Sequence, residues 1–352
     1  MVERVLKVGV VGCGFIAQNA HIPTLLKYKS IKLVAVCDRN KELVRNTARK
    51  FKVSKYYTNF KEMLEIEKPD MVNICTSIDT HASLSIQAME AGCHVFTEKP
   101  LALNTKDADV MIQVAKNNNV KLCTNHHLLF IPPVQKIKHI LDKGIIGDLI
   151  RVEIKQSYPP QDFPIIADPS HWWHKLPGGV FGDTLPHPIY LAREFLGKIE
   201  PIAVYPRKMG NLDHIAYDEV QIILEGERGI GTIISSCNYP SLWMIDIFGT
   251  KKSIHANLHN TIVITYGGKT DMGKGIASLY ARENLQQSFR ILADTFNGGM
   301  SFIQGKHRGI PAIIRKFIDS IQNSTEPPVT AEDGREVLRI WEKITSQIDE
   351  GA

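Results

Sequence analysis

The sequence of 352 residues is short of cysteine. It has six, none in a Cys-x-x-Cys pair, which leaves neither a disulfide framework nor a zinc knuckle. Five of them (Cys13, Cys37, Cys75, Cys93 and Cys123) fall in or beside apolar strand segments and read as small core residues. Long apolar runs are also missing. Val8 to Val11 and Leu33 to Cys37 are far below the ~18 residues that cross a bilayer, and Met1 to Arg4 lead straight into a strand segment, unlike a secretory leader. A cytoplasmic chain with no membrane partner is expected. No charge excess is gathered into a stripe: 42 Lys and Arg face 37 Asp and Glu along the whole chain, so no nucleic-acid partner is implied. Glycine and proline, at 25 and 18 residues, are too few for a disordered or fibrous chain, and no internal repeat is visible. What remains is a globular sequence, 43% hydrophobic and 22% charged, long enough for two domains.

Short β-branched runs alternate with helical patterns up to residue 125. The strand candidates are Val5 to Val11, Ile31 to Cys37, Met71 to Cys75, His94 to Phe96 and Val120 to Cys123. Helix candidates lie between them at Ala17 to Lys29, Lys41 to Phe51, Ala82 to Ala91 and Lys106 to Asn117. Continuous apolar strands separated by helices predict a parallel sheet covered on both faces, a doubly wound α/β domain over 1–125. After Pro132-Pro133 the pattern changes. One helix, Val134 to Lys143, precedes a series of strands at Leu149 to Gln156, Ile202 to Tyr205, Glu219 to Leu224, Gly231 to Ser236, Met244 to Phe248, Ser253 to Ala256 and Thr261 to Thr265. A second α/β domain over 126–352, with a largely antiparallel or mixed sheet, is expected. Residues 272–305 hold a helical stretch among Gly273, Gly275, Gly298 and Gly299, and two helices close the chain, near Ile310 to Gln322 and Glu332 to Ile348.

The first strand runs into Gly12-Cys13-Gly14-Phe15-Ile16-Ala17, a GxGxxA form of the dinucleotide fingerprint. Gly12 permits the tight turn, Gly14 lets backbone approach a pyrophosphate, and Ala17 allows the helix to pack on the strand. Asp38 closes the second strand, where its carboxylate accepts from ribose hydroxyls and repels a 2′-phosphate. NAD is therefore favoured over NADP, although Arg39 beside it is able to stack on adenine or attract that phosphate. The fourth strand ends at Thr76-Ser77 and the fifth at Glu98-Lys99-Pro100, both at the edge where such folds bind ligands.

At these positions the sequence resembles the Gfo/Idh/MocA oxidoreductases over nearly its whole length. The likeness runs through Gly12 to Ala17 with His21-Ile22-Pro23, Thr76 to His81, Ala91 to Leu101 including the Glu-Lys-Pro element, Gly178-Gly179 with Asp183 and His187, Phe248-Gly249-Thr250, and Pro328-Val329-Thr330 with Asp333-Gly334. The resemblance implies an N-terminal Rossmann domain and a C-terminal α/β domain on a large, mostly antiparallel open sheet. It also implies a catalytic trio, Lys99, Asp183 and His187, and a homodimer or homotetramer joined through that sheet. Phe15, Ile16, Thr76, Ser77, His81, Glu98, Lys99 and Asn125 join Gly12, Gly14, Asp38 and Arg39 as cofactor contacts.

The residue chemistry agrees with the trio. Oxidation of a secondary alcohol needs a hydride acceptor, a base for the hydroxyl proton, and a cation beside the developing alkoxide. NAD is the acceptor, His187 the base, Lys99 the cation, and Asp183 orients substrate or histidine; Lys99 and His187 are able to exchange roles. Pro186 and Pro188 place His187 at a helix start, where the dipole lowers its pKa and Asp183 raises it. Three residues depart from the family pattern: Leu185 in place of a common glycine, Tyr190 in place of an acidic residue, and His127 in place of an arginine. His127, Trp172, Trp173, Asp183, His187, Tyr190 and Lys99 are the expected substrate contacts. His171-Trp172-Trp173-His174 reads equally as a carbohydrate platform or as an aromatic packing cluster. No metal site is expected. The leading reading is an NAD(P)-dependent dehydrogenase acting on a secondary hydroxyl of a sugar, nucleotide sugar or cyclitol. Two others stay open, an NAD-dependent glycoside hydrolase and a catalytically silent cofactor-binding regulator.

Overall fold

A computed structural model of the chain describes residues 5–267, 276–303 and 309–351. The element order begins β1 (Leu6–Val11), α1 (Ile22–Leu25), β2 (Ile31–Cys37), α2 (Lys41–Phe51), β3 (Tyr56–Tyr57), α3 (Phe60–Glu67), β4 (Met71–Ile74), α4 (His81–Glu90), β5 (His94–Thr97), α5 (Thr105–Asn117) and β6 (Leu122–Thr124). It continues through α6 (Pro132–Asp142), β7 (Leu149–Ser157), α7 (Pro164–Ala167), α8 (Val180–Thr184), α9 (Pro186–Leu196), β8 (Ile199–Arg207), β9 (Glu219–Gly226) and β10 (Gly229–Ser236). It ends with β11 (Leu242–Gly249), β12 (Ser253–Asn257), β13 (Ile262–Tyr266), α10 (Ile276–Ile303), α11 (Ile310–Gln322) and α12 (Ala331–Glu350).

These elements fall into two compact units. The first holds the residues up to His127 together with Gly309–Arg339, and the second holds the rest. The sequence division at residue 125 gave all of 126–352 to one domain; the return of α11 to the first unit corrects it. The cause is local packing: the buried Phe317 ring lies 5.8 Å from Phe96 of β5, and the Tyr28 hydroxyl donates to the Pro311 carbonyl at 2.8 Å.

In the first unit six strands form one sheet in the order β3-β2-β1-β4-β5-β6, every pair parallel. This is the doubly wound order in which the sequence of strand addition reverses between β1 and β4, and ligands of such sheets bind beyond the carboxyl ends at that point. All four residues of β4 are buried, as cover on both faces requires. Three helices start on asparagine caps: Asn40 accepts from Glu42 and Leu43, Asn59 from Lys61 and Glu62, and Asn104 from Asp107. The first expected helix, Ala17 to Lys29, is shorter and irregular. Ala17–His21 is a π segment, and α1 stops at Leu25.

The second unit carries a seven-stranded sheet in the order β13-β12-β11-β7-β10-β9-β8. Its neighbours are antiparallel except β7 and β10, which run parallel. Alternation decides the faces. Val152, Ile154, Ile222, Leu224, Ile233, Ile245, Ile247 and Ile254 are buried on one side, where α9 adds Ile189, Ala192 and Phe195. Removing a ring as buried as Phe195 costs about 3–5 kcal/mol. The opposite face is open. It exposes Tyr205, Ile223 and Ile230 on β8 to β10, then a charged group in which Lys155 bridges Glu153 (3.2 Å) and Asp246 (3.1 Å) and His255 meets Asp246 at 2.7 Å.

The helical stretch expected within 272–305 is α10, held at Asp294 by Lys136 (2.6 Å) and the Val263 amide (2.9 Å). Gly298 lies inside this helix, where a Cβ would collide with Thr261. Gly273 and Gly275 lie outside the described residues. All six cysteines are free and buried, and among the described residues no helix is long and apolar enough to cross a membrane.

Candidate active site

The nucleotide turn is built by backbone necessity. Gly12 has φ +87°, and a Cβ there would stand 2.6 Å from the Cys75 carbonyl carbon and 2.8 Å from the Thr76 nitrogen, so only glycine fits between β1 and β4. A Cβ on Gly14 would meet no protein atom within 4 Å, which leaves open space above the turn for an approaching phosphate. Ala17 is fully buried, Phe15 is 82% exposed, and Ile16 begins the helical path. Asp38 ties the turn to β2: Oδ2 accepts from the Cys13 amide at 2.8 Å and Oδ1 from the Asn40 amide at 2.9 Å. Arg39 beside it is exposed. The Asn125 side-chain amide oxygen is buried with no hydrogen-bond partner among the described residues. These features fit a dinucleotide.

Two expected cofactor contacts are engaged inward instead. His81 is 1% exposed, and its ring nitrogens face the Pro100 carbonyl (2.8 Å) and the Thr76 carbonyl (3.1 Å). The imidazole therefore braces the two loops that follow β4 and β5, and burial pushes its pKa down. Thr76 and Ser77 lie on the first of these loops, with the Thr80 hydroxyl donating to Thr76 Oγ1 at 2.7 Å. Glu98 is 8% exposed, and its Oε1 lies 2.6 Å from His21 Nε2 and accepts from Asn125 Nδ2 at 2.7 Å. Burial alone would raise the Glu98 carboxyl; the His21 hydrogen bond and charge, with His127 and Asn125, overcome it and hold the group at about 2. Lys99 follows directly, half-buried, joined to Pro100 by a cis peptide. His127 opens a short 3-10 turn, and burial lowers its pKa to about 4 against the pull of Glu98.

In the second unit Asp183 and His187 share one helical path. Asp183 lies inside α8, Leu185 continues in right-handed helical geometry, and Pro186 opens α9, which puts the two side chains one turn apart on the same face. Both are half-exposed between buried neighbours. Asp183 is not the cap of α9, a position taken by Leu185 with no side-chain hydrogen bond. Leu185 is fully buried and supports the turn from below.

Tyr190, expected to contact substrate, is 2% exposed and supports the imidazole. Its hydroxyl lies 2.8 Å from His187 Nδ1 and accepts from the Leu128 amide at 3.2 Å. Trp243 flanks His187 edge to face at 6.1 Å and donates through Nε1 to the Tyr158 hydroxyl at 3.0 Å. Burial and the Asp183 charge push the Tyr158 phenol up. Neither Tyr158 nor Trp243 was singled out in the sequence. His171, Trp172 and Trp173 pack against one another at 5.6–6.4 Å, with Trp172 41% exposed, while His174 packs edge to face on His214 at 4.9 Å. Lys99 belongs to the first unit and Asp183 and His187 to the second.

Two family models match the chain. Residues 6–126 match the oxidoreductase family with an NAD-binding Rossmann fold, and 134–255 match the GFO/IDH/MocA C-terminal domain. The chain belongs to the Gfo/Idh/MocA oxidoreductase family. Oxidoreductase P35 of Formosa agariphila is 31% identical over 210 residues, 58% of this chain and 65% of that protein. Myo-inositol 2-dehydrogenase of Thermotoga maritima is 26% identical over 357 residues, 98% of this chain and 97% of that protein. Among solved structures, the WlbA dehydrogenase of Bordetella pertussis, in complex with NADH and UDP-GlcNAcA, superposes with a TM-score of 0.80 at 19% identity over 100% of this chain and 98% of the other. At that identity the likeness shows the fold. This member of the family is an NAD(P)-dependent oxidoreductase with a Rossmann dinucleotide domain.

Proposed function

We propose that this chain oxidises a secondary hydroxyl of a sugar, nucleotide sugar or cyclitol, or reduces the matching ketone, with NAD in preference to NADP. Bound NAD supplies the hydride acceptor. Gly12, Gly14, Phe15 and Ile16 carry the pyrophosphate turn, and Asp38, with Arg39 beside it, meets the adenosine ribose. Thr76, Ser77 and Asn125 line the loops toward the nicotinamide, with His81 and Glu98 acting through the loops they brace. Lys99 polarises the reacting oxygen, Asp183 orients substrate, and His187 takes the hydroxyl proton. His127, Trp172 and Trp173 complete the substrate surface.

The observation that carries this reading is the hold on His187. The Tyr190 oxygen accepts from the Leu128 amide and lies 2.8 Å from Nδ1, which holds the imidazole in one orientation. A ring held at Nδ1 is oriented for proton transfer at Nε2. The support for a polyol substrate is the exposed Trp172 face, together with the names of relatives such as myo-inositol 2-dehydrogenase. A cytoplasmic homodimer or homotetramer, joined through the open sheet face at Tyr205, Ile223 and Ile230, completes the proposal. The test is a screen of inositols, free sugars and UDP-sugars with NAD and with NADP, followed by NADH absorbance. Turnover with NAD that is lost in Lys99→Ala supports it. Aryl-glycoside cleavage with no net NADH favours the hydrolase, and cofactor binding with no turnover favours the silent regulator.

A further inference from the structure

One group that is costly to bury enters the proposed mechanism only through the loop it braces. Glu98 is a carboxylate inside the protein, where a leucine of similar volume would avoid the desolvation penalty. Its charge is kept by a chain of donors from three elements. His21, fully buried in the π segment after the glycine turn, places Nε2 2.6 Å from Oε1, and Asn125 beyond β6 donates to the same oxygen at 2.7 Å. Asn73 of β4 donates to His21 Nδ1 at 3.0 Å, and Phe96 packs against the imidazole at 5.7 Å. An acceptor at Nδ1 fixes the ring proton on Nε2, facing the carboxylate. The titratable groups coupled to this carboxylate are His21, His127, His81 and Cys75, and Lys99 is its neighbour in the chain.

We propose that His21 is a positioning residue for Lys99: through Glu98 it fixes the turn that carries the amine and sets the negative field beside it. The proposal rests on the reading of Lys99 as the group that polarises the reacting oxygen. Without the Nε2 donor the carboxylate takes up a proton more readily, and the turn that carries Lys99 loses its brace.

The experiment is competitive labelling of lysines with acetic anhydride across pH, read peptide by peptide by mass spectrometry on the full chain, with and without NAD. Wild type, His21→Leu, His21→Gln and Glu98→Gln are compared, with Lys61 and Lys316 as internal references. At a fixed pH, Lys99 is expected to label about threefold faster in His21→Leu and in Glu98→Gln. His21→Gln, which keeps an amide donor, is expected to stay close to wild type, and the reference lysines are expected not to change. If His21→Leu does not fold, Glu98→Gln and the rescue by His21→Gln carry the test. Unchanged Lys99 labelling in folded His21→Leu or in Glu98→Gln overturns the proposal, as does a His21→Gln that behaves like leucine. Labelling needs no turnover, so a wild type without dehydrogenase activity would sink the proposed function while leaving this result readable.

Discussion

Removing one oxygen from Tyr190 tests the His187 assignment with little change in volume. In Tyr190→Phe the Leu128 amide loses an acceptor and His187 Nδ1 loses a neighbour 2.8 Å away, both at a side chain 2% exposed. A buried amide left without a partner costs about 1–3 kcal/mol, which lowers the thermal midpoint by several degrees in a chain of this size. The catalytic effect is separate. A neutral hydrogen bond is worth about 0.5–1.5 kcal/mol net, so releasing Nδ1 shifts the tautomer balance by about threefold to tenfold. The fraction of enzyme with the imidazole in its productive tautomer and orientation falls accordingly, and kcat should fall by up to the same factor with KM for NAD unchanged. Steady-state NADH formation from pH 5 to 9 reads the rate, and 15N spectra of labelled histidine read the tautomer directly. A variant with kcat within twofold of wild type, the same pH profile and the same histidine spectrum would refute the reasoning.

Other perturbations follow from the same geometry. Gly12→Ala forces a methyl to within 2.6 Å of the Cys75 carbonyl carbon in a left-handed backbone; loss of NAD binding by calorimetry and a lowered urea midpoint are expected. Acid should weaken the fold in steps, because buried groups whose folded pKa is depressed stabilise only above their unfolded value. His127, lowered from 6.5 to about 4, contributes fully above about pH 6.5 and loses this contribution as pH falls toward 4; His81, also lowered by burial, adds a loss of the same sign below about 6.5; Glu98, lowered from 4.5 to about 2, adds its loss below about 4.5. Urea midpoints should therefore be flat above pH 6.5 and fall below it, and a midpoint that rises on acidification contradicts this. Ile223→Asp on the open sheet face should lower the mass seen by light scattering without altering NAD affinity, and an unchanged mass excludes that face as the oligomer contact.

Much of the first sheet was legible because strands buried on both faces are continuous apolar runs, as Val8 to Val11 and Met71 to Ile74 show. The two-residue β3 is too short to register as a run. Helix α3 carried a readable signal that went unused: Asn59 followed three residues later by Glu62 is a capping pattern. The premature end of α1 was not legible, since Ala17 to Lys29 has helical spacing but gives way to a π segment around His21. In the second sheet the open face was expected from the family resemblance, and no residue in β7 or β10 announces that these two run parallel. The glycine turn and Asp38 were visible as spacing, and the Asp183 and His187 pair through the family resemblance. The inward engagement of Glu98, His81 and Tyr190 was not, because it depends on partners far away in sequence, such as His21 for Glu98 and the Leu128 amide for Tyr190.

The central claim is that an amine, an imidazole and a carboxylate serve one reacting oxygen beside the cofactor. The most direct measurement is a crystal structure of the NAD complex with a polyol that is turned over. Lys99 Nζ and His187 Nε2 within hydrogen-bond reach of the same substrate oxygen, with Asp183 on the substrate or on the imidazole, is the predicted result. A substrate oxygen bound away from Lys99 and His187, or a nicotinamide facing neither, would contradict it.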